Sequence, residues 1–244
     1  MKLIKVHQAG YKIRSSEIGK DQKIKPYALV QLMQEASMEH VVLAQASAWD
    51  EALEGMTWVL LRKEIHFYQW PSLGEEIKVI TYPSGFERIF AYRDYLVENK
   101  DGQRLTEAAS TWTLIHKKTR NLVSIPEKFL PFDGRSEMNP LPRCGTAFPR
   151  TSQWKDGLPY RIGLNDLDWN GHMNNVQYVR FIMEDEEERT LQKKPKNMTL
   201  HFRQEGFHGD HVRVQYGKSD SGSQNIYRII KEKESVLFQA AIEW

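Results

Sequence analysis

The chain has 244 residues, enough for one large domain or for two domains of about 100–150 residues each. Its formal net charge of +2 gives no sign of the basic surface that nucleic-acid binding requires. The single cysteine, Cys144, excludes a disulfide within the chain and makes a cysteine-based zinc site implausible. We therefore expect a globular protein of the reducing cytoplasm.

The start of the chain carries no recognisable targeting segment. The first ten residues contain no long apolar run and no small-residue cleavage site, so a secretory signal is not expected. No Arg- and Ser-rich transit peptide precedes the first strand. No segment approaches the roughly 18 apolar residues that a membrane span needs. We expect a mature bacterial protein without a membrane span.

The first half of the chain is predicted to form one helix followed by antiparallel strands. Residues 27–47 follow a proline suited to the first helical position and place one apolar face at helical spacing: Leu29, Leu32, Met33, Ala36, His40 and Leu43. Alternation after Gly55 predicts a strand with one face formed by Val59, Leu61, Lys63, Ile65 and Phe67. Further strands are expected at 77–82, 88–98 and 108–116, separated by turns at 83–85 and 100–102.

A proline-rich segment then interrupts the pattern. Residues 126–150 hold five of the ten prolines, which argues against a helix interior or a central strand. We interpret residues 126–155 as an ordered linker between a domain at 1–125 and a domain at 156–244.

The second half repeats the order of the first. A helix is predicted over 174–192, apolar nearly all round at its start and acidic over 184–188, and such a helix is buried. Strands follow at 198–203, 211–219, 223–233 and 235–243. Residues 64–69 (EIHFYQ) resemble residues 199–204 (TLHFRQ) at an offset of 135, and the helices match at an offset of 146.

This repeat predicts an α+β fold of two tandem hotdog domains, each a long antiparallel sheet wrapped around a central helix. An unrelated α+β arrangement would give a similar pattern.

A polar cluster lies directly ahead of the second helix. Asp168, Asn170 and His172 stand two residues apart in an extended stretch, so they can project into one pocket. Free N–H groups at the helix start can also hold negative charge on a substrate oxygen. The alternative is a capping role, because Asp and Asn are good helix caps and each alone is more often a cap than a catalyst.

The internal repeat favours catalysis in one copy. Glu205 follows the first strand of the second half and would join the three residues of the cluster. At the offsets above, the four equivalent positions in the first half are Gln22, Ile24, Pro26 and Trp70. Capping gives little reason for one copy to lose the whole set. We therefore expect one active site, in the second domain, and a first domain that is catalytically empty.

Residues 168–178 (DWNGHMNNVQY) resemble the signature D-x-N-x-H-x-N-N-x-x-Y of plant and bacterial acyl-acyl carrier protein thioesterases. Residues 201–205 (HFRQE) resemble the second motif of that family, and 55–60 (GMTWVL) resemble its first-domain strand. The match covers nearly the whole chain. It implies tandem hotdog domains that hydrolyse fatty acyl-acyl carrier protein to free fatty acid and holo-acyl carrier protein, which terminates fatty acid synthesis, without a cofactor or metal.

The resemblance also implies the catalytic set Asp168, Asn170, His172 and Glu205. Plant members carry a cysteine after the glutamate, but Gly206 stands there in this chain, so a cysteine nucleophile is unsupported. We expect Glu205 and His172 to position and deprotonate a water, and His172 to protonate the leaving thiolate. Asn170 would orient the water or polarise the carbonyl, and Asp168 would orient its neighbours. The choice of His172 or Glu205 as the base stays open.

Substrate and partner contacts follow from the same resemblance. The implied substrate-binding residues are Asn174 and Asn175 at the helix start, with Leu32, Met33 and Trp58 lining an acyl-chain site in the first domain. Ordinary core packing is the alternative for the apolar ones. Because acyl carrier proteins are acidic, the expected docking residues are basic: Lys117, Lys118, Arg120 and Arg180. Solvated turns are the alternative, and a homodimer stays open.

Three other functions are alternatives for a protein of this fold. An acyl-CoA thioesterase would share fold and chemistry, a dehydratase would use a His and a carboxylate, and a non-catalytic acyl-binding module would need no polar set. No phosphate-binding or dinucleotide motif appears, and His208, Asp210 and His211 fit a polar turn better than a metal site.

Overall fold

The computed structural model describes residues 3–47, 53, 55–189 and 194–244. The chain divides into two compact units, Met1–Cys144 and Gly145–Trp244. None of the helices within the described residues is long and apolar enough to cross a membrane. The domain limits predicted at 125 and 156, and the role of 126–155 as a linker, stay predictions.

The first unit wraps an antiparallel sheet around one long helix. Its elements are β1 (His7–Lys12), α1 (Pro26–Leu43), β2 (Met56–Phe67), β3 (Glu76–Glu87), β4 (Phe90–Asn99), β5 (Arg104–His116) and the short β6 (Leu122–Val123). The strand order is β1-β3-β4-β5-β2, with β6 paired to β5. Helix α1 contacts β1 and β3.

The second unit repeats this arrangement element by element. It contains β7 (Lys155–Arg161), α2 (Asn175–Arg189), β8 (Asn197–Phe202), β9 (His211–Lys218), β10 (Asn225–Lys231) and β11 (Ser235–Glu243). The order β7-β9-β10-β11-β8 is that of the first unit, and α2 contacts β7 and β9 as α1 contacts β1 and β3. The predicted fold of two tandem hotdog domains is confirmed.

Helix α1 begins at Pro26, whose fixed φ suits the first helical position. It ends at Leu43 and not at residue 47, because Gln45 adopts a φ of +50° that a right-handed helix cannot continue. The predicted face is buried except for Leu43, which is 48% exposed in the last turn.

Helix α2 confirms the prediction of a buried helix. It begins at Asn175, and its predicted end at Gln192 lies outside the described residues. Two carboxylates of the acidic half are also buried, and both have partners. Oδ1 of Asp185 accepts from the Leu158 N–H at 2.7 Å, and Oε2 of Glu186 accepts from the Tyr227 hydroxyl at 2.5 Å. Such bonds offset the cost of burying the two charges.

The predicted turn at 83–85 and the predicted face of β2 were wrong, because a β-bulge interrupts β3 and another interrupts β2. Residues 83–85 form no turn: β3 continues through them, with its register shifted between Pro83 and Gly85, and Gly85 has a φ of +136°. In β2, the register shifts between Leu60 and Arg62. Val59 therefore does not share a face with Lys63.

Strands β1 and β7 were not predicted. Each pairs with only one strand of its own unit, β3 or β9, and so forms an edge. Glycine and proline are tolerated at such edges, and Gly10, Gly157 and Pro159 hide the alternating pattern that identifies a strand.

The proline-rich segment packs against the first sheet as far as Cys144. Oδ2 of Asp94 accepts from the Leu141 N–H at 2.7 Å, and the Tyr82 hydroxyl donates to the Asn139 carbonyl at 2.8 Å. The expectation that its prolines avoid helices was wrong for Pro131, which lies inside the short 3-10 helix Glu127–Phe132. A 3-10 helix this short loses little when one N–H is missing.

Lys63 is buried inside the first domain without a compensating anion. It is 4% exposed, and its amine lies 4.1 Å from the centre of the Tyr95 ring. No carboxylate among the described residues stabilises its charge, and burial lowers the pKa of the amine to about 7. The unfolded chain therefore binds one more proton than the folded chain between pH 7 and the ordinary value of 10.5.

This difference predicts that Lys63→Met changes how stability depends on pH. In the native protein the free energy of unfolding should gain about 1.4 kcal/mol per pH unit from Lys63 as the pH rises above 7. The variant should lose that gain, which urea unfolding between pH 7 and 9.5 would measure. Lys12→Met, at an exposed position of β1, is the control and should keep the native slope. Parallel curves for native protein and Lys63→Met would contradict the prediction.

Candidate functional site

One carboxylate organises the turn that precedes α2. Oδ1 of Asp168 accepts from the backbone N–H groups of Asn170 at 2.8 Å and His172 at 3.1 Å. The Asp168 N–H donates to the His172 carbonyl at 2.7 Å, and Gly171 completes the turn with a φ of +78°, which favours glycine. Asp168 thereby fixes the backbone from which the Asn170 and His172 side chains project.

Asn174 caps α2. Its Oδ1 accepts from the Val176 N–H at 3.0 Å, and its carbonyl accepts from the Gln177 N–H at 2.9 Å. The expectation that several N–H groups at this helix start are free to bind an oxyanion was therefore wrong for these two. Asn175, the other predicted substrate-binding residue here, is the first residue of the helix.

The segment after β8 returns to this turn. The Met173 N–H donates to the Gly206 carbonyl at 2.8 Å, and His172 and Phe207 form an isolated bridge. Strand β8 ends at Phe202, so Glu205 lies in the connection beyond the strand. These backbone contacts bring Glu205 to the cluster.

His172 and Glu205 form a side-chain pair. Nδ1 of His172 lies 3.4 Å from Oε1 of Glu205, and the two side chains are 25% and 26% exposed. The Phe207 ring meets the imidazole edge-on, with 5.2 Å between centroids. The pair is therefore positioned by protein contacts on one side while solvent reaches it.

Gly206 lies in a space without room for a side chain. An added Cβ would come within 2.7 Å of Cδ1 of Ile162, 3.2 Å of the Tyr178 hydroxyl and 3.3 Å of Cβ of Met173. A cysteine at this position would require these neighbours to move.

The hydrogen bonds revise the offset between the two copies at the turn. The bond from Asp168 N–H to His172 carbonyl corresponds to the bond from Gly19 N–H to Lys23 carbonyl, and α2 begins 149 positions after α1. The offset is therefore 149 and not 146. The first-domain equivalents of Asp168, Asn170 and His172 are therefore Gly19, Asp21 and Lys23, in place of Gln22, Ile24 and Pro26. The equivalent of Glu205 stays Trp70.

The corrected first-domain turn still lacks the histidine and the glutamate. Asp21 accepts from the Lys23 N–H at 3.1 Å, and Nζ of Lys23 donates to the Ser72 hydroxyl at 2.8 Å. The position of Glu205 is taken by Trp70, which stacks on Phe67 with 4.5 Å between centroids. A catalytically empty first domain stays a prediction.

The three predicted acyl-site residues lie in two places in the first domain. Leu32 and Met33 are buried on α1. Trp58 lies on β2, packs against a separate cluster that contains Phe129, and donates from Nε1 to the Ala46 carbonyl at 3.1 Å. Their role in substrate binding stays a prediction.

The predicted docking residues differ in their exposure and in their position in the fold. Lys117, Lys118 and Arg120 are exposed in the turn after β5. Arg180 instead binds Asp166 at 2.6 Å and Glu184 at 2.9 Å, so it holds α2 to the turn. The docking role of all four stays a prediction.

Two residues near the pair were not among the predicted site residues. Tyr178 is buried on α2, and its hydroxyl accepts from the Gly206 N–H at 3.0 Å. Phe207 is 46% exposed beside His172. The tyrosine ends the signature motif, which could have identified it, whereas nothing in the pattern marks Phe207. Within the described ranges, no group of three or more His, Cys, Asp or Glu side chains could hold a metal ion.

The close packing at Gly206 predicts that Gly206→Ala destabilises the protein. The methyl group would overlap Ile162 and Tyr178, which should lower the free energy of unfolding by about 1–3 kcal/mol. Urea unfolding would measure the loss. Gly10→Ala is the control, because a Cβ at Gly10 meets nothing within 4 Å. Equal stability of the two variants would contradict the predicted overlap.

Comparison with known proteins identifies the family. Residues 4–131 match the acyl-ACP thioesterase N-terminal domain, and residues 151–244 match the acyl-ACP thioesterase C-terminal domain. A chloroplastic palmitoyl-acyl carrier protein thioesterase of Arabidopsis thaliana is 30% identical over 219 residues, which cover 82% of this chain and 52% of the relative. The chain thus spans about half the length of that relative.

Two solved structures share the fold over almost the whole chain. An acyl-ACP thioesterase from Bacteroides thetaiotaomicron has a TM-score of 0.85 at 18% identity, with 98% of this chain and 97% of that one covered. A 12:0-ACP thioesterase from Umbellularia californica has a TM-score of 0.79 at 24% identity, with the same coverage of both chains. By its two matched domains, the chain belongs to the acyl-ACP thioesterase family.

Proposed function

We propose that this protein hydrolyses fatty acyl-acyl carrier protein thioesters to free fatty acid and holo-acyl carrier protein. The observation that carries the proposal is the pairing of Nδ1 of His172 with Oε1 of Glu205 at 3.4 Å, beside the Asn170 turn. Membership of the family and the names of the Arabidopsis and Umbellularia relatives support the choice of substrate. Termination of fatty acid synthesis is the role that this reaction would have.

The pair supports His172 as the general base. A carboxylate on Nδ1 fixes the ring and its tautomer, which leaves Nε2 to accept a proton from water. The water attacks the thioester carbonyl, the tetrahedral intermediate collapses and the carbon–sulfur bond breaks. His172 then returns the proton to the departing thiolate, so the products are an acid and a thiol. Glu205 stabilises the imidazolium that forms between these steps.

The oxyanion would be held by the turn. The Asn170 side chain has no hydrogen-bond partner among the described residues, so its amide can donate to the carbonyl oxygen. The backbone N–H of Asn175, the first residue of α2, would be a second donor. Asp168 acts through the backbone, because its carboxylate holds the N–H groups of Asn170 and His172.

The carrier and the acyl chain would bind through the two sets of residues predicted for them. The exposed Lys117, Lys118 and Arg120 can meet the acidic surface of an acyl carrier protein, whereas Arg180 is engaged with Asp166 and Glu184. The buried side chains of Leu32 and Met33 would contact the acyl chain in the first domain. The cytoplasmic location and the homodimer stay predictions.

His172→Ala should lower the rate of acyl-acyl carrier protein hydrolysis by about 10²–10⁴-fold, because it removes the general base. Glu205→Gln should lower it less, since the imidazole remains. Released fatty acid would be quantified from acyl carrier protein loaded with chains of different length.

The matched control is Lys23→Ala, which truncates the side chain at the equivalent position of the first-domain turn. It should keep the native rate. Near-native rates for both His172→Ala and Glu205→Gln would overturn the proposal. Faster hydrolysis of acyl-CoA than of acyl-acyl carrier protein would favour an acyl-CoA thioesterase, and no hydrolysis of either would favour an acyl-binding module.

Met33→Ala should shift the released acids to longer chains, because it enlarges the apolar interior beside α1. The product spectrum would be measured with a mixture of acyl-acyl carrier proteins. Leu96→Ala is the control: it truncates a buried side chain of a separate core cluster with Ile80 and Tyr82. Both variants should be destabilised by about 2–5 kcal/mol. An unchanged spectrum for Met33→Ala would contradict the assignment of the acyl site.

A further inference from the structure

The Tyr178 hydroxyl holds the two peptide groups that flank Glu205. It accepts from the Gly206 N–H at 3.0 Å and donates to the Gln204 carbonyl at 3.5 Å. The chain has left β8 at this point, so these two peptide groups lie outside the sheet ladder. One buried phenol therefore makes a hydrogen bond to the backbone on one side of Glu205 and a long contact to the backbone on the other side.

The ring of Tyr178 is itself held firmly. It is 2% exposed and packs against Phe238 at 5.2 Å and Phe202 at 6.0 Å between centroids. Burial raises the pKa of the phenol, with Glu205 contributing, so the hydroxyl keeps its proton and can both donate and accept. The hydroxyl therefore has a fixed position against which the connection after β8 can be placed.

We propose that Tyr178 is a positioning residue that sets the place of Glu205 relative to His172. The inference rests on the function proposed above and adds a residue that does not touch the reacting atoms. The 3.4 Å between Nδ1 and Oε1 is at the limit of a hydrogen bond, so a small backbone shift at Glu205 breaks the pair. Displacements of about 1 Å in a catalytic group can lower a rate about 10²-fold.

The test compares two tyrosine-to-phenylalanine variants. Tyr178→Phe removes the hydroxyl and keeps the ring. It should lower kcat on acyl-acyl carrier protein about tenfold or more and leave KM nearly unchanged. Tyr160→Phe is matched, because the Tyr160 hydroxyl donates to the Phe181 carbonyl at 3.1 Å in the same domain. It loses a comparable hydrogen bond and should keep the native kcat.

A double mutant separates positioning from a general loss of structure. If Tyr178 acts through Glu205, Tyr178→Phe should have little further effect on kcat in a Glu205→Gln background, measured in single turnovers where slow rates are accessible. The pH profile of kcat in Tyr178→Phe should also move towards that of Glu205→Gln.

Each outcome bears on one proposal. Equal kcat for Tyr178→Phe and Tyr160→Phe, or the same fold loss with and without Glu205, would overturn the positioning role and leave the proposed function intact. A native rate for Glu205→Gln together with His172→Ala would instead overturn the proposed function.

Discussion

One backbone hydrogen bond in each domain determines where chemistry can occur. It joins the residue ahead of the helix to the connection that follows the second strand: Ile24 N–H to Pro71 carbonyl at 2.9 Å, and Met173 N–H to Gly206 carbonyl at 2.8 Å. Because of this bond, the turn ahead of the helix and the connection after the strand place their side chains side by side near the start of α1 or α2. The rest of the candidate site depends on that meeting, since His172 and Glu205 are 33 positions apart in sequence.

The two domains share this backbone arrangement but carry different side chains on it. Where the second domain has Glu205, the first has Trp70, which stacks on Phe67 and so contributes packing in place of charge. Where the second has His172, the first has Lys23 bound to a serine hydroxyl. The same backbone arrangement is therefore present in both copies, and the two copies differ in the side chains placed on it.

The sequence predicted the elements whose signal is periodic and local. Both helices, most strands and the polar cluster follow from spacing, because a buried face must repeat with the period of its element. Edge strands such as β7 and the bulge at Gly85 were missed or misread, since glycine and proline mean different things at an edge, in a bulge and in a turn. The offset of 146 was wrong at the turn because a match of residue types between two helices cannot locate an insertion, whereas backbone hydrogen bonds can.

The pair of His172 and Glu205 was predictable as residue types but not as geometry. A residue within a strand has its side-chain direction set by the ladder, to one face or the other. Glu205 lies beyond the end of β8, so its direction depends on what else holds the chain there. The Tyr178 hydroxyl supplies that hold from α2, and the crowded space at Gly206 limits how the segment can pass. Because Glu205 lies outside the hydrogen-bonded strand, its carboxylate is not restricted to one of the two faces of the sheet and can approach the imidazole of His172. That approach depends on the backbone of Glu205 being held by another element, which here is α2.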